Sequence, residues 1–149
     1  MKFVSYKHDN VEKFGIIENN LITDLTGKIG GASNLKELIK IEKIKEAKGY
    51  VVSNPGSIKT EEIEYSPLIP NPGKIICVGL NYIEHAKETN RTVEENPVIF
   101  HRFPESQTAH MQAIQRPSVS KSLDFEGEMA VIMDEAVSYT HLRAHETEA

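Results

Sequence analysis

The apolar run at residues 74–80 constrains the fold more than any other feature of this sequence. It reads Lys-Ile-Ile-Cys-Val-Gly-Leu and lies between Pro72-Gly73 and Asn81. A continuous apolar run of this length is typical of a strand that is buried on both faces. We therefore predict that this run is a central strand of a core.

The cysteine of this run, Cys77, is the only one in the chain. We expect it to be buried and to act as packing rather than as a nucleophile, because free cysteine behaves as a small hydrophobe.

A proline-rich stretch precedes this run and divides the chain. Between residues 54 and 73 regular structure is interrupted by Pro55, Pro67, Pro70 and Pro72, and proline removes a backbone hydrogen-bond donor. A chain of 149 residues can form one compact domain or a small domain with part of a second. We predict a small N-terminal domain at residues 1–71 and the beginning of a core at residues 72–136.

The pattern of apolar residues predicts both helices and strands. Residues 3–6, 14–17 and 21–25 carry β-formers, with Asn19-Asn20 as a turn, which predicts a small antiparallel sheet. Ser33 or Asn34 can cap a helix that ends near Gly49; its apolar positions are Leu35, Leu38, Ile39, Ile41 and Ile44. Further along we predict a helix at 83–90, an extended segment at 97–103 and a strand at 124–133. The expected fold class is α+β.

Composition excludes several classes of partner. The formal net charge is −5, and an acidic protein is not attracted to nucleic acid or to an anionic membrane surface. No apolar run approaches the length that crosses a bilayer, and the first residues lack the apolar stretch of a secretory signal. We therefore expect no nucleic-acid or membrane partner and a cytoplasmic location.

His85 and Glu88 form the first candidate catalytic pair. They are three residues apart, so on a helix they share a face and the carboxylate can orient the imidazole. A neutral histidine held in this way can act as a general base. The same spacing also occurs on ordinary solvent-exposed helices.

Glu126 and Glu128 form the second candidate pair. They alternate with other residues along a predicted strand, so both side chains point to one face. Neighbouring carboxylates repel each other unless a cation lies between them, and oxygen ligands select hard ions such as Mg²⁺, Mn²⁺ or Ca²⁺. The alternative is a strand whose polar face meets solvent.

Several separated motifs together resemble the fumarylacetoacetate hydrolase family, in the family's order. The resemblance extends from Met1 to about Ala136 and rests on residues 74–82, on His85 and Glu88, on residues 97–106 and on residues 124–128. It implies that Glu126 and Glu128 bind a divalent metal and that His85 and Glu88 form the proton-transferring dyad. The segment around 103–106 resembles the branch labelled 2-hydroxyhepta-2,4-diene-1,7-dioate isomerase or ureidoglycolate lyase.

The resemblance implies a metal-dependent hydrolase, lyase or isomerase of small oxo-acids, acting by C–C bond cleavage, decarboxylation or isomerisation. The metal would stabilise enolate-like charge. Arg102 could pair with a substrate carboxylate, although a surface arginine fits the sequence equally well. The family also suggests a homodimer for the full-length protein.

The chain departs from the family pattern in two respects. The family's third acidic metal ligand and a later substrate-contacting lysine have no match, and residues 137–149 resemble a translated adapter tail rather than the family. We therefore expect a C-terminally truncated and inactive enzyme. The rival interpretations are a metal-binding or dimerising module and a small-molecule binding protein without turnover.

Overall fold

The computed structural model describes residues 1–92, 96–123 and 127–133, apart from the side chain of His85. The first part of the chain forms a five-stranded sheet in the order β4-β3-β2-β1-β5, in which all neighbours are antiparallel. Its strands are β1 (Lys2–His8), β2 (Val11–Glu18), β3 (Leu21–Asp24), β4 (Ile58–Lys59) and β5 (Glu64–Ser66). The prediction of a small N-terminal antiparallel sheet is confirmed.

Two short turns set the register of this sheet. Asn19 and Asn20, with φ of 51° and 64°, join β2 to β3, and Asp9 and Asn10 join β1 to β2 in the same way. Positive φ at both central residues is the geometry of the hairpin turn whose twist matches that of the strands, and Asn and Asp tolerate it. The turn predicted at Asn19-Asn20 is therefore confirmed.

The sheet is covered on both faces. On one face it packs against two helices, α1 (Leu35–Lys40) and α2 (Ile44–Ser53); this cluster contains Phe14, Ile16, Leu25, Ile29, Ala32, Leu35, Leu38, Ala47 and Val51. On the other face Val4, Tyr6 and Ile22 pack against residues of the returning chain, including Ile58 and Ile63. The N-terminal unit thus has two layers of packing around one sheet.

The single helix predicted after residue 34 is wrong, because the structure contains two helices. Asn34 does cap α1, since its side chain accepts a hydrogen bond from the Glu37 N–H at 2.9 Å. Hydrogen bonds from Ser33 to the Glu37 carboxylate complete the cap and lower the pKa of Glu37. Glu42 then adopts a φ of 56°, which an α-helix cannot contain. Gly49 lies inside α2 rather than at a helix end.

The proline-rich stretch is more than a connection. It contributes β4, a 3₁₀ turn at Thr60–Glu62 and β5, and β4 and β5 form the two edges of the sheet. Beyond β5 the chain remains bound to the N-terminal unit, because Ser5 Oγ donates to the Leu68 carbonyl at 2.7 Å and Lys36 Nζ donates to the Asn71 carbonyl at 2.8 Å. The domain boundary between residues 71 and 72 stays a prediction.

A second, two-stranded antiparallel sheet follows. It pairs β6 (Ile75–Gly79) with β7 (Val98–Arg102), from Ile75 opposite Arg102 to Gly79 opposite Val98. The helix α3 (Ile83–Glu88) lies between them in sequence, and a 3₁₀ turn at Pro104–Ser106 follows β7. The strand, helix and extended segment predicted for this part of the chain are confirmed.

Three predictions for the second unit are wrong in the described part of the chain. The strand β6 is not buried on both faces, because Ile76 is 62% and Val78 38% exposed, and Cys77 is only half-buried. A strand of this kind needs a covering layer on each face, and the described residues give it a lateral partner, β7, rather than two layers. Residues 127–133, part of the strand predicted at 124–133, are not assigned to a strand.

Candidate functional site

The helix α3 starts directly after β6. Leu80, with a φ of 53°, turns the chain out of the strand, and the Tyr82 carbonyl accepts the first helical hydrogen bond from the Ala86 N–H at 3.1 Å. Ala86 is 2% exposed and anchors the helix. The helix ends where the Arg91 N–H reaches the Ala86 carbonyl at 2.8 Å and Asn90 takes a φ of 52°.

The backbone of α3 carries both members of the predicted dyad. His85 and Glu88 are three residues apart within the helix, so they lie on neighbouring positions of one face. Glu88 is exposed. Glu84, on the same helix, is already paired with Lys87 at 3.3 Å. The contact between the His85 and Glu88 side chains stays a prediction, because the His85 side chain lies outside the described part of the structure.

Arg102, the predicted substrate-binding residue, is the last residue of β7. It lies opposite Ile75 and is exposed. The neighbouring His101 points to the opposite face of the strand and packs edge-on against Phe103, with ring centroids 5.4 Å apart. Exposure leaves Arg102 accessible to an anionic ligand, and its role in substrate binding stays a prediction.

One hydrogen bond joins residues 127–133, which contain Glu128 and are called the acidic segment below, to the start of α3. The Met129 backbone N–H donates to the Tyr82 hydroxyl at 3.3 Å. Met129 follows Glu128 directly, and Tyr82 precedes α3 directly. The sequence motifs indicate no role for Tyr82, and the signal that points to it is its position just before the helix with the predicted dyad.

Glu128 is the one predicted metal ligand within the described residues, since Glu126 lies outside them. It is exposed, and its carboxylate oxygens suit a hard divalent cation. Across residues 1–92, 96–123 and 127–133, no three His, Cys, Asp or Glu side chains cluster in a way that could hold a metal ion. Glu128 therefore fits such an ion by its chemistry, and the full ligand set stays a prediction.

The loop after β7 lies against the N-terminal sheet. Gln112 Nε2 donates to the Tyr65 carbonyl at 3.1 Å and to Glu64 Oε1 at 3.3 Å, which binds the loop to β5. His110, for which the sequence identifies no partner, packs edge-on against Tyr65 with a centroid distance of 4.9 Å. A shallow cleft of about 290 Å³ lies between this loop, β1 and β5. The loop after β7 is therefore in contact with the N-terminal unit, and residues 127–133, which follow it in sequence, are in contact with Tyr82 next to α3.

A model of one protein family matches half of this chain. It describes the fumarylacetoacetate (FAA) hydrolase C-terminal domain and matches residues 74–148, a range that contains β6, α3, β7 and Glu128. The range also includes residues 137–148, which we assign to a non-family tail; that assignment stays a prediction and falls outside the described residues. None of the helices within residues 1–92, 96–123 and 127–133 has the length and apolar character that a membrane span requires.

Curated relatives match over different lengths. The mitochondrial oxaloacetate tautomerase Fahd2a of Rattus norvegicus is 40% identical over 76 residues, which are 51% of this chain and 24% of the rat protein. The 2,4-didehydro-3-deoxy-L-rhamnonate hydrolase of a Sphingomonas species is 30% identical over 139 residues, which are 93% of this chain and 46% of that enzyme. The chain thus spans less than half the length of each of these relatives.

A solved structure shares the fold. The crystal structure of a putative HpcE protein from Mycobacterium smegmatis superposes with a TM-score of 0.58 at 20% identity, over 76% of this chain and 40% of that chain. This likeness confirms the predicted α+β class. With the family model matching residues 74–148, the chain belongs to the fumarylacetoacetate hydrolase family.

Proposed function

We propose that this chain is part of a divalent-metal-dependent enzyme that acts on small oxo-acids by hydrolysis, decarboxylation or isomerisation through an enolate-like species. The observation that carries the proposal is the hydrogen bond from the Met129 N–H to the Tyr82 hydroxyl, because it joins the segment of Glu128 to the helix of His85 and Glu88. The relatives support the class of substrate: the rat protein is named for oxaloacetate, and the Sphingomonas enzyme for hydrolysis of a rhamnonate derivative.

The proposed roles follow from the chemistry of each side chain. Glu126 and Glu128 supply oxygen ligands for Mg²⁺, Mn²⁺ or Ca²⁺, which when bound provides positive charge next to a developing oxyanion. His85 accepts a proton from the substrate or from water, and Glu88 orients its imidazole. Arg102 pairs with a substrate carboxylate through its planar guanidinium.

For the 149-residue chain itself we propose little or no turnover, with metal binding or self-association as its remaining activity. The exposed apolar side chains of the second sheet favour this candidate: Ile76, Val78 and Ile99, which lie on one face of the sheet, are 62%, 38% and 57% exposed, and contiguous exposed apolar surface marks a site of protein association. A homodimer for the full-length enzyme and a cytoplasmic location belong to the same proposal. The rat relative's own name places that protein in mitochondria.

Replacing Glu128 tests the metal assignment in the chain as it stands. We expect Glu128→Gln to weaken Mn²⁺ binding by at least about tenfold, because a neutral amide is a poorer ligand than a carboxylate and supporting groups of metal sites already contribute about tenfold or more. The measurement is a titration followed by the electron paramagnetic resonance signal of free Mn²⁺.

Glu105→Gln is the matched control. Glu105 is an exposed glutamate in the 3₁₀ turn after β7, and its replacement removes the same charge without touching the proposed site. Equal loss of affinity in both variants would mean that Mn²⁺ responds to net charge alone, and Glu128 would not be a ligand.

A further inference from the structure

We propose that Tyr82 is a positioning residue, whose hydroxyl holds the segment around Glu128 against the start of α3. The inference rests on the proposed function, because it assigns Tyr82 the task of placing a metal-binding carboxylate next to the helix of the dyad. The hydroxyl accepts the Met129 N–H at 3.3 Å. Tyr82 itself contacts neither metal nor substrate in this account.

The backbone of Tyr82 is fixed from the helix side. Its carbonyl accepts the Ala86 N–H at 3.1 Å, so Tyr82 is bound to the first turn of α3 from the position directly before it. Ala86 is 2% exposed, which holds this first turn in place. The Tyr82 hydroxyl is therefore presented from a fixed point of the helix.

The acidic segment, in contrast, is not held by burial. The side chains of Met129, Val131 and Met133 are 83%, 74% and 78% exposed, and residues 127–133 are not assigned to a strand. Apolar packing therefore does not determine where this segment lies. A directional hydrogen bond can do so, because it fixes both a distance and an angle.

The short separations along the chain make this contact effective. Met129 adjoins Glu128, and His85 lies three residues after Tyr82, which is about 4.5 Å along a helix axis. One tyrosine thus fixes the carboxylate segment relative to the helix that carries His85. A loss of this bond should leave the helix intact and release the carboxylate.

The test compares Tyr82→Phe with the unchanged chain, with Glu128→Gln and with Tyr50→Phe. Tyr82→Phe keeps the ring and removes the hydroxyl, while Tyr50→Phe does the same on α2, in the N-terminal unit. We expect Tyr82→Phe to speed hydrogen exchange of the Met129 amide by about three- to tenfold and to weaken Mn²⁺ binding by a similar factor, since the net contribution of one hydrogen bond corresponds to factors of this size. Tyr50→Phe should change neither quantity. The urea midpoint of unfolding should not change.

The outcomes separate the positioning role of Tyr82 from the metal-binding role of Glu128. If Glu128→Gln weakens Mn²⁺ binding while Tyr82→Phe leaves both binding and Met129 exchange unchanged, the positioning role is overturned and the proposed function stands. If neither variant changes binding, the metal assignment fails and the inference fails with it. A lower urea midpoint with faster exchange throughout the chain would assign Tyr82 to general stability, which also overturns the inference.

Discussion

An extended form of this chain should turn over oxaloacetate at least about 100-fold faster than the 149-residue chain, and only with Mg²⁺ or Mn²⁺ present. The extension would join residues 1–136 to the corresponding C-terminal half of the Sphingomonas hydrolase, which matches 93% of this chain. The physical reason is that a hard cation near octahedral geometry needs further fixed oxygen ligands and supporting groups, and the loss of such groups costs metal affinity or activity by about tenfold to 100-fold each. The interconversion of the enol and keto forms, followed by ultraviolet absorbance, measures the rate.

Two variants of α3 test whether the turnover of the extended chain depends on the predicted dyad. In the extended chain Glu88→Gln should lower the rate, because it removes the carboxylate that orients His85. Glu84→Gln is the control, since Glu84 is on the same helix and is paired with Lys87. Equal turnover by the short and the extended chains would show that residues beyond 136 are unnecessary for catalysis. The proposal of an interrupted enzyme would then be wrong.

Phe14→Ala should lower the free energy of unfolding by about 3–5 kcal/mol, the usual cost of removing a buried aromatic side chain. Phe14 is fully buried in the cluster between β2 and the helices α1 and α2. Its backbone is also engaged, because its carbonyl accepts the Leu25 N–H at 2.9 Å. Urea denaturation followed by circular dichroism gives the change directly.

Val11→Ala on the same strand is the control. Val11 is 54% exposed, so its truncation should change the free energy of unfolding by no more than about 0.5 kcal/mol. Phe14→Leu, which keeps most of the apolar volume, should fall between the two. Similar losses for Phe14→Ala and Val11→Ala would contradict the placement of Phe14 at the centre of the N-terminal core.

Local signals in the sequence were sufficient for most elements of the fold. The turn at Asn19-Asn20 and the cap at Asn34 depend on a few neighbouring residues, and both are present. The predicted helix after Asn34 continues into α2 because the apolar spacing continues across Glu42, and no periodicity reveals the positive φ of that residue. Similarly, the prolines predict only a connection in the stretch where β4 and β5 form. These two strands lie at the edges of the sheet, and proline next to a strand is tolerated there.

Burial was harder to predict than secondary structure. The apolar run of β6 does form a strand, yet Ile76 and Val78 are exposed and Cys77 is half-buried. Composition tells which residues favour burial, while burial itself requires covering layers supplied from elsewhere in a chain. For the site, the sequence motifs predict the roles of His85, Glu88 and Glu128, but they do not predict which side chains are brought together. The contact between Tyr82 and Met129 joins residues 47 positions apart, and no spacing rule predicts such a pair.

The most direct test of the central claim is to ask whether one bound ion lies close to both α3 and the acidic segment. Substoichiometric Mn²⁺ added to the isotopically labelled 149-residue chain broadens the nuclear magnetic resonance signals of nearby amides, even when binding is weak. The account predicts that the amides of Glu128 and Met129 and those of His85 and Glu88 broaden together, while the amides of β1 and β2 stay sharp. Broadening of residues 127–133 without α3, or of scattered surface carboxylates throughout the chain, would contradict a shared metal site.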